Sequence, residues 1–119
     1  MEFRSGQESV AAYFRAYNSG DEAAHTRLFH PEATFFGSGS GPARGLVAIR
    51  GVYHAARGRL GYMQFIPKEV FGAFPEIGVR VEVQRAERSF QGLWVFRLGE
   101  DGLIRHLCVL YNLRDAFGG

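Results

Sequence analysis

Cysteine is almost missing from this chain: Cys108 is the only one, so no disulfide can close within it. Long apolar runs are missing as well. None approaches the roughly 18 residues that a membrane-spanning helix needs, and Met1 to Gly6 lacks the apolar stretch of a secretory signal, which points to a soluble protein of the reducing cytoplasm. A strong charge of one sign is absent. Fourteen basic residues against twelve acidic leave +2, and the arginines are scattered rather than clustered, so no nucleic-acid partner is expected. His25, His30, His54 and His106 form neither a His-x-x-x-His pair nor a cluster with cysteine, so no metal is expected. The stretch Gly37-Ser38-Gly39-Ser40-Gly41-Pro42 has neither the Gly-Lys-Ser/Thr ending of a phosphate loop nor the Gly-x-Gly-x-x-Gly spacing of a dinucleotide fold. It reads instead as a mobile connection near the mouth of a pocket.

What is present is a core. The chain has 119 residues, 46% of them hydrophobic, which suits one domain over 1–119. Ser5-x-x-Glu8 has the form of a capping box, and Val10, Tyr13, Phe14 and Tyr17 recur on one helical face, predicting a helix over 6–18. Gly20 supplies a stop, Asp21 caps a short second helix carrying Ala24 and Leu28, and Pro31 bars its continuation beyond Phe29. A short strand over 33–36 and the glycine loop lead to a third helix, in which Leu46, Ile49, Tyr53, Ala56 and Leu60 step by three and four. From Tyr62 onward the period drops to two, predicting strands at 62–73, 78–86, 89–98 and 103–113, with Pro67 at an edge or a bulge. Helices first and an antiparallel meander after them make an α+β fold.

Neither face of the last strands is clearly polar. One set holds Phe90, Trp94, Val109 and Tyr111, and the other holds Val79, Val81, Val83, Leu93, Val95, Cys108 and Leu110. Three helices cover only one face, so the second predicts a homodimer through the outer side of the sheet. The alternative is a strand register off by one residue, which exchanges the faces.

Few residues are suited to chemistry. Tyr13 combines a ring for a cavity wall with a hydroxyl that can donate to a ligand oxygen; the alternative is a core tyrosine whose hydroxyl meets a carbonyl or solvent. Arg80 and Glu82 are two apart, hence on one side of a strand, as a proton-transferring acid and its charge partner require; the alternative is a solvated surface pair. His54 shares a basic face with Arg50 and reads as solvated, His106 falls on the outer side of its strand, and Cys108 reads as inert packing.

The order of Tyr13, Asn18-Ser19-Gly20-Asp21, Phe29-His30-Pro31-Glu32-Ala33-Thr34-Phe35 and Arg44-Gly45-Leu46-x-x-Ile49-x-x-x-Tyr53 resembles the nuclear transport factor 2-like superfamily, in particular its SnoaL-like and limonene-epoxide-hydrolase-like branches. The resemblance implies a cone of three N-terminal helices packed on a curved antiparallel sheet, enclosing one apolar pocket. It gives Tyr13 the place of the oxyanion-stabilising tyrosine of steroid isomerases and Tyr53 that of its supporting tyrosine, which predicts a Tyr13–Tyr53 hydroxyl pair. The isomerase's two acids fall at Gly37 and Trp94. Arg80-Val81-Glu82 looks like the Arg-x-Asp of limonene epoxide hydrolases, whose second carboxylate falls at Val109 and whose water-holding residues fall at Phe35 and Gly37. SnoaL-like cyclases often carry a histidine where His106 stands and an acid near Asn112.

The resulting expectation is a cofactor-independent enzyme acting on a hydrophobic cyclic molecule of polyketide or terpenoid type: a cyclase, an isomerase or an epoxide-opening hydrolase. Tyr13, Tyr53, Arg80 and Glu82 are its candidate catalytic residues; Tyr17, Phe35, Phe90, Trp94, Val109 and Tyr111 are its candidate substrate-binding wall. The alternatives are a non-catalytic carrier or sensor of a similar ligand and an association domain whose pocket is filled. An open space of roughly 300 Å³ separates the last of these from the other two.

Overall fold

Helix α1 (Gly6–Ser19) forms where Val10, Tyr13, Phe14 and Tyr17 make one apolar stripe, and all four are buried. The computed structural model describes residues 6–117, so Ser5 of the expected capping box lies outside the described residues. Gly20 takes φ +82°, a left-handed turn that suits glycine. Asp21 then caps α2 (Glu22–Thr26), its carboxylate accepting from the Ala24 amide at 3.0 Å. Pro31 falls inside β1 (Phe29–Gly37) rather than before it, so this strand starts four residues earlier than the period predicts. The glycine loop is shorter than expected as well, because Gly41–Arg44 returns as β2 along β1. Helix α3 (Leu46–Leu60) buries Ile49, Tyr53 and Leu60 and stops at Gly61, φ +79°.

The long strands are β3 (Gln64–Ala73), β4 (Glu76–Arg85), β5 (Arg88–Leu98) and β6 (Ile104–Tyr111), followed by a short α4 (Leu113–Phe117) where the period had extended the last strand to 113. Asn112 accepts from the Arg114 amide at 2.8 Å and so starts that helix. The curved sheet runs in the order β2-β1-β6-β5-β4-β3. Every ladder is antiparallel except β1 with β6, which is parallel. Pro67 does sit on an edge strand, beside a register shift between Pro67 and Glu69.

Cross-strand register decides which side chains meet the helices. Val79, Val81 and Val83 pair with Trp94, Gly92 and Phe90, and since paired residues share a face they all point inward. All three valines are buried, which corrects their assignment to the outer set: the phase of β4 is shifted by one residue from the reading made on alternation alone. Leu93, Val95, Cys108 and Leu110 remain on the outer side, where Phe36 pairs with Cys108, Cys108 with Val95, and Leu110 with Leu93. Phe71 lies over Gly78 on that side, and Phe36, Phe71 and Leu110 are at least 40% exposed.

Polar side chains fasten the helices to the sheet. The Asn18 amide imitates a strand neighbour, accepting from the Phe65 amide and donating to the Phe65 carbonyl, each at 2.8 Å. Arg57 donates to the Tyr17 carbonyl and lies 4.5 Å over the Tyr17 ring. Arg85 reaches the last carbonyls of two helices, at Leu60 and Ala116. No described helix is long and apolar enough to cross a membrane.

Candidate active site

Between α1, α3 and the concave side of the sheet lies a cavity of about 60 Å³. Its inner wall is made by Tyr17, Tyr53, Phe65 and Trp94, with Phe35, Val83, Phe90 and Val109 beside them; Gly39, Ser40, Arg59 and Tyr111 also line it, and Ser40 and Arg59 are exposed, so the mouth is at that end. The space falls well short of roughly 300 Å³. Aromatic packing is the reason: Tyr17 stacks on Phe65 at 3.7 Å and 3°, and Trp94 closes on Phe65 at 5.0 Å. A ring-sized occupant therefore enters only when these wall rings move, and by the measure of roughly 300 Å³ the filled association domain remains among the readings.

The polar heart of the site is a chain of three groups. The Tyr13 and Tyr53 hydroxyl oxygens stand 2.6 Å apart, and the Trp94 indole N–H donates to the Tyr13 oxygen over 3.1 Å. An indole N–H can only donate. Tyr13 has no exposed surface, and within the pair either oxygen can be the donor. Tyr53 lines the cavity and Tyr13 does not. Of the two hydroxyls paired by the resemblance, that of Tyr53 belongs to the cavity wall and that of Tyr13 lies behind it. Burial pushes both phenols well above their usual range, so both stay protonated at neutral pH and act as donors. Each bond in such a chain polarises the next in a low-dielectric surrounding.

His25 joins this group from behind. Its ring is edge-on to Tyr53 at 4.4 Å and tilted against Tyr13 at 4.8 Å. It is 4% exposed, and its Nε2 finds no hydrogen-bond partner among the described residues. Burial, reinforced by the Arg57 cation, lowers its pKa to about 4, so it is neutral at pH 7. Sequence reasoning weighed His25 only for metal binding. Its place beside Ala24 and Leu28 on a predicted amphipathic helix was the available signal for burial.

Tyr17, Phe35, Phe90, Trp94, Val109 and Tyr111 all lie on the cavity wall. Arg80 and Glu82 do not. They lie on the opposite side of the sheet, where Arg80 contacts Glu69 at 2.8 Å and Gln91 at 3.0 Å, and Glu82 faces Lys68 at 3.7 Å. This corrects the expectation that they enter the pocket: with Val81 and Val83 turned inward, the alternation of the strand turns Glu82 outward. His54 is exposed and lies 3.5 Å from Glu22, and His106 meets Thr34 at 2.6 Å on the outer side. Among the described residues no three His, Cys, Asp or Glu side chains group together.

The positions where the resemblance puts acids or water-holding groups, Gly37, Trp94, Val109 and Phe35, do line the cavity. They present a glycine, an indole ring whose N–H is taken by Tyr13, and two apolar side chains. A side chain at Gly37 would crowd the Phe35 ring at 3.0 Å, so the ring and the missing acid are two aspects of one packing choice.

A model of the SnoaL-like domain matches residues 10–107. The chain belongs to the SnoaL-like family. Solved structures agree on its fold. The SnoaL-like chain superposes on SalBIII, an epoxide hydrolase/cyclase-like enzyme of pyran ring formation in the polyether salinomycin, with TM-score 0.78, 22% identity and 92% of each chain covered. A candidate polyketide cyclase of Sinorhizobium meliloti gives TM-score 0.77 and 24% identity over 86% of this chain and 93% of that one. TerC, crystallised with polyporic acid, gives TM-score 0.82 and 14% identity over 96% and 98%. No curated protein matches the sequence.

Proposed function

We propose that this SnoaL-like protein is a cofactor-independent enzyme that draws a hydrophobic cyclic molecule into the cavity and polarises one of its oxygens with the Tyr53 hydroxyl. The observation that carries this reading is the Trp94–Tyr13–Tyr53 hydrogen-bond chain, whose last hydroxyl, Tyr53, lines an apolar space; with Tyr13 donating to Tyr53, the Tyr53 proton is the one left for a ligand. Donors fixed in advance at the site of developing negative charge are the largest single contribution in many enzymes.

Among the described residues the lining holds no carboxylate, which favours ring closure by a substrate hydroxyl on an epoxide over isomerisation, since moving a C–H proton needs a side-chain base. In an epoxide-opening cyclisation the substrate's own hydroxyl attacks the ring carbon and the C–O bond breaks towards Tyr53. Tyr53 passes its proton to the departing oxygen and the proton released by the attacking hydroxyl returns to the Tyr53 oxygen, so the products are one cyclic ether bearing one new alcohol and the phenol is restored. The pyran-forming role of SalBIII is consistent with this chemistry.

The same lack of a carboxylate also favours a second reading, a carrier that binds such molecules without converting them. Incubating the protein with an aryl-substituted epoxy-alcohol and analysing products by NMR separates the two. A cyclic ether formed by the wild type and lost in Tyr53→Phe supports the enzyme. Quenching of Trp94, the only tryptophan, without product supports the carrier. No binding of any kind leaves only the filled association domain.

We also infer that two chains pair through the outer side of the sheet. Phe36, Leu93, Val95, Cys108 and Leu110 form a contiguous apolar strip there, the kind of surface that marks association.

A further inference from the structure

Phe65 is one of the rings that keep the cavity small, and it is held in an uncommon way. It lies face to face with Tyr17, 3.7 Å between centroids and 3° between planes, whereas aromatic pairs otherwise favour offset or edge-on arrangements over such a sandwich. A contact this close leaves no room for a second group on the same face of Tyr17. The Arg57 guanidinium, 4.5 Å from the Tyr17 centroid, therefore lies on the other face. A cation there draws π-electron density towards itself and relieves the repulsion between the two stacked faces. Arg57 is fixed in this place by its hydrogen bonds to Glu22 and to the Tyr17 carbonyl. Tyr17 is thus a stacking platform with a cation behind it, and Phe65 is the ring that rests on it.

The backbone that carries the Phe65 ring is held from both sides. Phe65 pairs with Val83 in β4, and on the open side of β3 the Asn18 amide completes the ladder with two bonds of 2.8 Å. The strand is thus fixed at this residue, and the side-chain rotamer is what can change when the cavity opens. Met63, on the same cavity wall, is unbranched and adapts to irregular space. The place that the Phe65 ring occupies is bounded by the Tyr17 face and by Trp94 at 5.0 Å, and Tyr53, whose ring is 6.0 Å from that of Tyr17, shares the same wall.

Building on the proposed function, we infer that the Phe65 ring is a stand-in for the ligand: a flat, electron-rich ring displaces it, stacks on Tyr17 in its place and so comes to lie beside Tyr53. Phe65 and Tyr17 are then specificity-determining residues. Turning out a buried phenyl ring sets a threshold that small apolar molecules do not reach, and the Tyr17 face discriminates against puckered rings, which cannot lie flat on it.

Two alcohols with the same carbon skeleton test this: 2-naphthol, which is flat, and decahydro-2-naphthol, which is puckered. Calorimetric titration of the wild type should show naphthol bound several-fold to about tenfold more tightly, the range of one aromatic pair. Phe65→Ala should bind naphthol at least about tenfold more tightly than the wild type, because no buried ring has to be turned out first. Phe65→Leu, which keeps more of the apolar volume, should show a smaller gain, and Tyr17→Leu should abolish the preference for the flat alcohol. In an otherwise unaltered chain carrying 4-fluorophenylalanine at position 65, the fluorine resonance should shift when naphthol is added. Naphthol binding without that shift, without a gain in either Phe65 variant, or no tighter than that of decahydro-2-naphthol overturns the displacement and leaves the ligand-binding reading standing. Binding by the Phe65 variants with none by the wild type marks Phe65 as a permanent core ring and overturns it too. If neither alcohol binds the wild type or any variant, the ligand-binding reading falls and the displacement with it.

Discussion

The Tyr13 and Tyr53 hydroxyl oxygens are 2.6 Å apart although the residues are forty positions apart, one on α1 and one on α3. Both side chains are buried, and the only other partner of the Tyr13 oxygen among the described residues is the Trp94 N–H. The pair is therefore asymmetric. Tyr13 is held between two groups, while Tyr53 has one side on the cavity.

Tyr13→Phe and Tyr53→Phe should accordingly differ. Removing the Tyr13 oxygen leaves the buried Trp94 N–H without an acceptor, at a cost of about 1–3 kcal/mol. Removing the Tyr53 hydroxyl leaves that bond intact but takes away the acceptor of the buried Tyr13 O–H, so stability should fall by a similar amount, about 1–3 kcal/mol. Ligand affinity or turnover should fall more for Tyr53→Phe, by about tenfold or more. Urea denaturation and the NMR product assay measure the two effects; equal losses of affinity or turnover in the two variants would contradict the donor order.

His25 should make the fold sensitive to acid. Its pKa is about 4 in the fold against 6.5 in the open chain, so the unfolded state takes up its proton first as pH falls. The stability this residue contributes is complete above pH 6.5 and is lost progressively down to about pH 4. At roughly 1.36 kcal/mol per pH unit the loss approaches about 3 kcal/mol. Carboxylates titrate in the lower part of this window, so the measurement is the difference between wild type and His25→Leu in urea midpoint from pH 7 to pH 4. A wild-type curve parallel to the variant's would rule out a buried neutral imidazole.

Glu82→Gln and Arg80→Gln should leave ligand binding and turnover unchanged. Both residues lie on the side of the sheet away from the cavity, in exposed or half-exposed ion pairs, and stability should move by about 0.5 kcal/mol or less. A large loss of turnover in Glu82→Gln would place the carboxylate in the chemistry after all.

Gly92→Ala should damage the site from a distance. A Cβ at Gly92 would overlap the Trp94 ring and meet the Leu110 carbonyl at 3.2 Å. Relief requires moving the indole that holds Tyr13, so a destabilisation of about 1–3 kcal/mol is expected, with a shift in Trp94 emission. Thermal melts and emission spectra check both.

The outer strip should respond to charge. Leu110→Lys and Phe36→Glu should give a monomer in sedimentation at micromolar concentration if the wild type is a dimer, with the fold retained in circular dichroism, because both side chains are already 40% exposed. A wild type that sediments as a monomer removes the proposed interface.

Much of the architecture was legible in the residues themselves. The stripe from Val10 to Tyr17, the Gly20–Asp21 break, the run from Leu46 to Leu60 and the edge placement of Pro67 are local signals, because helix period, capping and proline's missing donor act within a few residues. The Tyr13–Tyr53 contact was legible only through a family resemblance. What the tertiary structure decided is of another kind. Alternation in β4 says that Arg80 and Glu82 share a side, but not which side; pairing of Val81 with Gly92 and of Val83 with Phe90 made that choice. The parallel ladder of β1 with β6, the burial of His25 behind two phenols, and the indole bond to the Tyr13 oxygen all depend on contacts between distant segments. A periodic pattern fixes relative positions along one element, and only packing against other elements fixes its phase.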